Sequence, residues 1–288
     1  MDKIDLKNKL EELYLKSLDC NDYTYFSAID AIKSIYGINL NALNENLINW
    51  LKNYIGIKNN FNKTHNVSPD NSIKEAISFF SLEESLINKD QQESINNIFQ
   101  LSRVSEGTQI FEFLLEFSLK NCKSNYRYIW CLYRLDLFFN HKYLLEGLYK
   151  CIEVILNDDF IDMQKPVEDN FDWLDCISEN RIPFEDFYLL YPIFNSNLIR
   201  NSKINKIIGG RVNECYNRQN KININVDDYQ FSAGRIWILE YLNKLDFSKL
   251  NYSKIVNLNG ARACLRGMKN EAAIRYIWSQ LNLQLDNK

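Results

Sequence analysis

Proline and glycine are scarce, with 4 and 9 among 288 residues. Few positions can therefore break a helix or take the left-handed backbone that tight turns require. Histidine is scarcer still: His65 and His141 are the whole supply, and both lie in polar, loop-like sequence. Zinc needs about four clustered nitrogen or sulfur ligands. The seven cysteines (20, 122, 131, 151, 176, 215 and 264) are widely spaced and never form CxxC, so no metal site is assigned. Their odd number and apolar surroundings predict reduced, buried thiols that pack as small hydrophobes.

Other absences exclude whole classes of chemistry. There is no GxSxG around a nucleophilic serine, and neither histidine sits in a recognisable pattern with Ser or Cys. GxGxxG and GxxxxGK[ST] are missing, so no glycine-rich phosphate cradle is expected. No catalytic residue and no cofactor is assigned on these grounds. The chain has no run of 18 apolar residues, so no membrane helix is expected. Its first residues, MDKIDLKNKLEELYLKSLDC, lack the basic start and apolar run of a secretory signal, and LQLDNK at the end carries no lipidation signal. The expected location is the cytoplasm. A net charge of −3 argues against direct nucleic-acid binding, which relies on a basic surface.

What is present is ordinary globular material, 46% hydrophobic and 25% charged, arranged with helical periodicity. Leu6, Leu10, Leu13, Tyr14 and Leu18 recur at three- and four-residue spacing. Phe26, Ile29, Ile32, Ile35 and Tyr36 do the same up to Gly37, and Leu43, Leu47, Trp50, Leu51 and Tyr54 up to Gly56. Residues 58–71 are polar and contain Pro69, which makes them a candidate subdomain boundary within one helical domain spanning 1–288. Beyond them Ser72 and Glu75 form a capping-box pattern. Helical segments then follow around 95–104, 110–119, 126–139 and 143–156, close enough together for antiparallel hairpins. Pro183 and Pro192 bracket the aromatic segment FEDFYLLY. Residues 197–218 read as a basic helix interrupted at Gly209–Gly210, and 221–230 alternate like a strand or an extended loop. Three more helices are expected over 231–245, 252–265 and 270–283. The predicted fold is all-α: antiparallel helical hairpins packed into a compact or solenoid-like body.

Arg127-Tyr128-Ile129-Trp130 recurs as Arg275-Tyr276-Ile277-Trp278 and, shortened, as Arg235-Ile236-Trp237. Amphipathic helices drawn from a limited alphabet account for this, and so does a degenerate helical repeat. Residues 253–286 resemble a single tetratricopeptide unit. Gly260, Gly267, Ala272 and Tyr276 fall where that family has a small residue, the inter-helix turn, a small packing residue and an aromatic. Val256, Asn259 and Gln284 depart from its Trp, Leu and Pro positions. The resemblance covers about an eighth of the chain and implies a helical hairpin. It does not imply peptide binding, for which that family stacks several units.

Charge is the remaining signal. Residues 153–186 hold eleven acids against Lys165 and Arg181, a local net charge of −9, interleaved with aromatics such as Phe171, Trp173 and Phe187. Residues 200–221 carry +5. One expectation is that the two segments pack together and neutralise each other. The other is that Asp158, Asp159, Asp162, Glu168, Asp169, Asp172, Trp173 and Asp175 dock a basic protein partner, since clustered charge steers association and aromatic anchors within a charged rim hold it. The chain then reads as a non-enzymatic protein-binding module, in concrete form an immunity or antitoxin-type protein that covers a basic toxin with its acidic surface. Two alternatives stand beside it. Asp158, Asp159 and Asp162 form a DDxxD pattern that resembles the magnesium motif of terpene synthases, implying a metal-dependent helical enzyme, although that family's second motif is incomplete at Asp228 and Ser232. The other is a helical-repeat scaffold.

Overall fold

The computed structural model describes residues 3–38, 45–57, 69, 78–161, 173, 176, 184–199, 203–217 and 237–286. About 80% of them are helical. Eight helices occupy the first part of the chain: α1 (Lys3–Leu18), α2 (Thr24–Ile38), α3 (Glu45–Ile57), α4 (Phe79–Ile87), α5 (Gln91–Ser102), α6 (Gly107–Asn121), α7 (Tyr126–Phe138) and α8 (Leu144–Leu156). Five follow: α9 (Phe184–Phe194), α10 (Lys203–Asn217), α11 (Trp237–Lys244), α12 (Tyr252–Gly267) and α13 (Glu271–Asp286). Among the described residues the nearest thing to a sheet is one antiparallel bridge, Cys122 with Phe160. The fold is all-α, as the periodicity implies. The strand-like residues 221–230, the loop at 58–68 and 70–71, and the capping pair Ser72 and Glu75 lie outside the described residues.

Several helix ends are written locally. Ser78 accepts from the Ser81 amide at 3.1 Å, Asp90 from Glu93 at 3.0 Å and Asn251 from Lys254 at 3.0 Å, each satisfying an amide that the first helical turn leaves unpaired. Gly37 and Gly56 each fall one residue before the end of their helix. Two breaker readings need correction. α10 runs unbroken through Gly209 and Gly210, because its apolar face, Ile207, Ile208 and Val212, is buried and tertiary packing outweighs the glycine penalty of about 1 kcal/mol each. α9 likewise continues through Pro192. A proline there removes the amide that would bond the Tyr188 carbonyl one turn back, and α12 crosses at that same point.

Consecutive helices pair as hairpins at α4–α5, α6–α7, α7–α8 and α12–α13, the last covering the tetratricopeptide-like stretch. The body is compact and not a solenoid. In a solenoid each hairpin touches only its neighbours. Here α2 packs against α1, α3, α7 and α12, and its contact with α12 joins residues more than 200 positions apart. One continuous set of buried apolar residues runs from Leu6 to Leu281. α2 is buried almost all round: every residue from Tyr25 to Ile32 is buried, and so are Ser34, Ile35 and Tyr36. A helix buried on nearly all sides belongs in a core, and α2 is the one on which α1, α3, α7 and α12 pack. The two full copies of the Arg-Tyr-Ile-Trp echo share one burial pattern, with Ile129 and Ile277 fully buried and Trp130 and Trp278 nearly so.

The six described cysteines are free and buried; Cys215 lies outside the described side chains. Burial raises the Cys122 and Cys131 thiols to about 12, and holds Cys151 and Cys264 well above the ordinary value. These thiols are protonated packing groups, not nucleophiles.

The α9–α12 crossing depends on Gly260. A Cβ there would lie 2.4 Å from Tyr188 Cβ and 2.9 Å from its Cγ. Gly260→Ala should overpack the crossing and cost about 1–3 kcal/mol in urea unfolding. Gly56→Ala, whose added Cβ would meet nothing within 4 Å, should be neutral or slightly stabilising. Equal stability of the two variants would contradict this account of the crossing.

Candidate functional site

A carboxylate, Asp30, stands in the middle of α2 and is 1% exposed. An ionised group taken out of water at such cost must be matched by charge and hydrogen bonds. Lys33, one turn along the same helix, places Nζ 2.6 Å from Asp30 Oδ1, and Arg134 of α7 brings Nε to 3.3 Å from that oxygen. Asn259 of α12 donates from Nδ2 to Oδ2 at 3.3 Å. The network then extends outward. Lys33 Nζ also donates to the Arg134 carbonyl at 3.0 Å, Arg134 Nη2 donates to Ser34 Oγ at 2.6 Å, and Arg262 Nε donates to Asn259 Oδ1 at 3.0 Å. Three helices are tied together through one carboxylate.

The same cations line a cleft of about 750 Å³. Its described lining comprises Lys33, Ser34 and Gly37 of α2, Arg134 and Phe138 of α7, Trp237 of α11, Arg262, Leu265 and Arg266 of α12, and Ile274 and Trp278 of α13. No acidic residue is among the described lining. Lys33 Nζ lies over the Phe138 ring at 5.6 Å, and the Arg134 guanidinium over Trp130 at 5.7 Å. Four cations thus line the cleft, and two of them, Lys33 and Arg134, pair with Asp30. Arg262 and Arg266 are four apart on one helical face, where like charges repel. Arg266 has no ion pair among the described residues.

This imbalance moves the titrations. Burial alone would raise the Asp30 carboxyl, but Arg134, Lys33 and Arg262 outweigh it and hold Asp30 below the ordinary carboxylate value. Lys33 is lowered by burial and by Arg134, more than Asp30 can offset. Arg262 is lowered to about 10, first by burial, then by Arg134 and Arg266. Cations crowded against one buried acid form a pocket short of negative charge.

The residues expected from the sequence fall elsewhere. Asp158 is buried, and its carboxylate caps the start of α7. Oδ2 accepts from the amides of Ser124 at 2.9 Å and Asn125 at 2.7 Å, and Oδ1 from that of Asp159 at 2.9 Å. Asp159 is exposed, with Oδ2 3.6 Å from Lys123 Nζ, a surface pair of little energetic weight. Trp173 is half-buried and packs edge-on among Phe187, Tyr191 and Phe194, with centroids 5.5–5.8 Å away. Asp162, Glu168, Asp169, Asp172 and Asp175 lie outside the described residues. Among the described residues no three His, Cys, Asp or Glu side chains are grouped to hold a metal ion. From the basic segment, Arg211 is buried and donates to the carbonyls of Ser118, Leu119 and Cys122, capping the C-terminus of α6, where a cation also meets the favourable end of the helix dipole.

His141 pairs with buried Asp136 at 2.6 Å, closing the turn after α7. His65 lies outside the described residues. No described helix is long and apolar enough to cross a membrane. Comparison with known protein families, with curated proteins and with solved structures finds no match.

The cleft escaped the sequence reading because its cations come from three helices spread over more than 200 residues of the chain. The one local clue was an Asp and a Lys in the otherwise apolar run FSAIDAIKSIY.

Asp30→Asn should leave its cations buried without a counter-charge and cost about 3–5 kcal/mol at pH 7. Because the folded carboxyl titrates below its unfolded value of about 3.9, its contribution is complete above that pH and is lost as pH falls through the depressed folded value. Urea unfolding from pH 7 to 2 should therefore show a steeper acid loss in the wild type than in Asp30→Asn. Parallel curves of equal stability would contradict the network.

Proposed function

We propose that the chain is a non-enzymatic binding module that holds an anionic group in the cleft between α2, α7, α11, α12 and α13. One observation carries the reading: among the described residues, Lys33, Arg134, Arg262 and Arg266 converge on a single cavity with Asp30 alone to balance them. Its volume falls within the roughly 300–1,000 Å³ usual for ligand pockets. Arginine forks suit phosphate and carboxylate, which they bind through two parallel hydrogen bonds. The apolar residues of the same lining displace water and strengthen those contacts. The described lining offers donors and apolar surface, the equipment of recognition.

The immunity-type reading, an acidic surface covering a basic partner, keeps the module but reverses the charge of its ligand. Its support is the composition of residues 153–186. Of the eight residues proposed for it, Asp158 and Trp173 are engaged within the fold and Asp159 is exposed. The anion-binding reading is favoured because its groups are brought together in one cavity.

A ligand that binds only the folded state raises its stability, by about 2.7 kcal/mol at one hundred times its Kd. For a chain of this size that corresponds to a rise of about 5–10 °C in Tm. Pyrophosphate should produce such a shift beyond sodium chloride of matched ionic strength, and Arg262→Gln/Arg266→Gln should abolish it. No shift in the wild type, or an equal shift in the double variant, would sink the proposal.

A further inference from the structure

We infer that the anion held in this cleft is a nucleoside polyphosphate, with its phosphates on the cations and its ring against the apolar side chains of the lining. The inference rests on the anion-binding reading and adds the ligand class. Two features of the cavity lead to it. The first is charge density. Among the described residues four cations meet one carboxylate, an excess suited to two or three phosphoryl groups and greater than a single carboxylate would need. Lys33 and Arg134 spend donors on Asp30, Ser34 and the Arg134 carbonyl. Arg262 uses only Nε within the protein, on Asn259. The outer nitrogens of Arg262 and the guanidinium of Arg266 are therefore the donors left for a ligand, set side by side on one face of α12.

The second feature is the apolar part of the lining. Inorganic phosphate has no use for apolar surface, yet Leu265, Ile274, Trp237 and Trp278 line the same space as the cations. Trp237 and Trp278 meet edge to face, with centroids 5.1 Å apart and planes at 71°, and both are nearly buried, while Leu265 and Ile274 are half-buried. Apolar side chains beside a group of cations match a ligand that joins a multiply charged phosphate chain to a flat ring. The volume admits a ligand of that size.

The test is calorimetric titration of the whole chain with the four ribonucleoside diphosphates, the four matching nucleosides and pyrophosphate, in buffer containing a chelator. At least one diphosphate should bind tenfold or more tightly than both pyrophosphate and its own nucleoside. Arg266→Glu, at an exposed position, should weaken that diphosphate and pyrophosphate alike by tenfold or more. Ile274→Ser, in the apolar part of the lining, should weaken the diphosphate by several-fold and leave pyrophosphate unchanged. If pyrophosphate binds as tightly as every diphosphate, the nucleoside assignment is overturned and the anion-binding reading stands. Nucleosides binding as well as their diphosphates would also overturn it. If neither pyrophosphate nor any diphosphate binds, both proposals fail together.

Discussion

The arrangement depends on one buried carboxylate. Asp30 sits in the most enclosed helix of the molecule, where an unpaired charge would cost several kcal/mol. The packing of α7 and α12 against α2 must therefore bring Arg134 and Asn259 to it, in addition to the Lys33 that α2 supplies. A purely apolar interface could slide by a turn at modest cost. An interface with a buried ion at its centre has one register, because any other strands the charge. Burial is costly for the cations too, which is why Lys33 and Arg262 both titrate below their ordinary values. The network sets geometry more than it adds stability.

That geometry has a consequence at the surface. Fixing Arg134 on Asp30, and Arg262 on the Asn259 that also bonds Asp30, leaves both arginines in the lining of the same cleft as Arg266. Stability alone would favour removing some of these charges, since a well-packed apolar set is often equal to or better than a buried ionic one. Retaining four cations over one acid makes sense if a ligand completes the balance. Sites that break a local rule in this way are where function is sought.

Much of the architecture was legible in the sequence, for identifiable reasons. Helix periodicity is local, and the runs around Leu6–Leu18, Ile110–Leu119 and Tyr126–Phe139 could be read within one or two turns of their ends. Gly209–Gly210 and Pro192 misled because local propensity was set against burial that only the folded chain reveals. Acidic residues 153–186 were conspicuous as composition, but composition does not say which carboxylate faces water. Asp158 turned inward to cap α7. The cleft was illegible because Lys33, Arg134 and Arg262 are each unremarkable in their own helix. Only the contact of α2 with α12 makes them neighbours. The net charge of −3, which argued against direct nucleic-acid binding, averages over a chain whose charge is unevenly distributed.

The central claim is that the cleft holds more positive charge than the fold requires. Its most direct test is the unfolding free energy of Arg266→Gln in urea, at low ionic strength and without multivalent anions. If Arg266 is present for a ligand, its removal relieves repulsion with Arg262, and the variant should be as stable as the wild type or more stable by up to about 1 kcal/mol. A loss of more than about 1 kcal/mol would make Arg266 a structural cation and contradict the account.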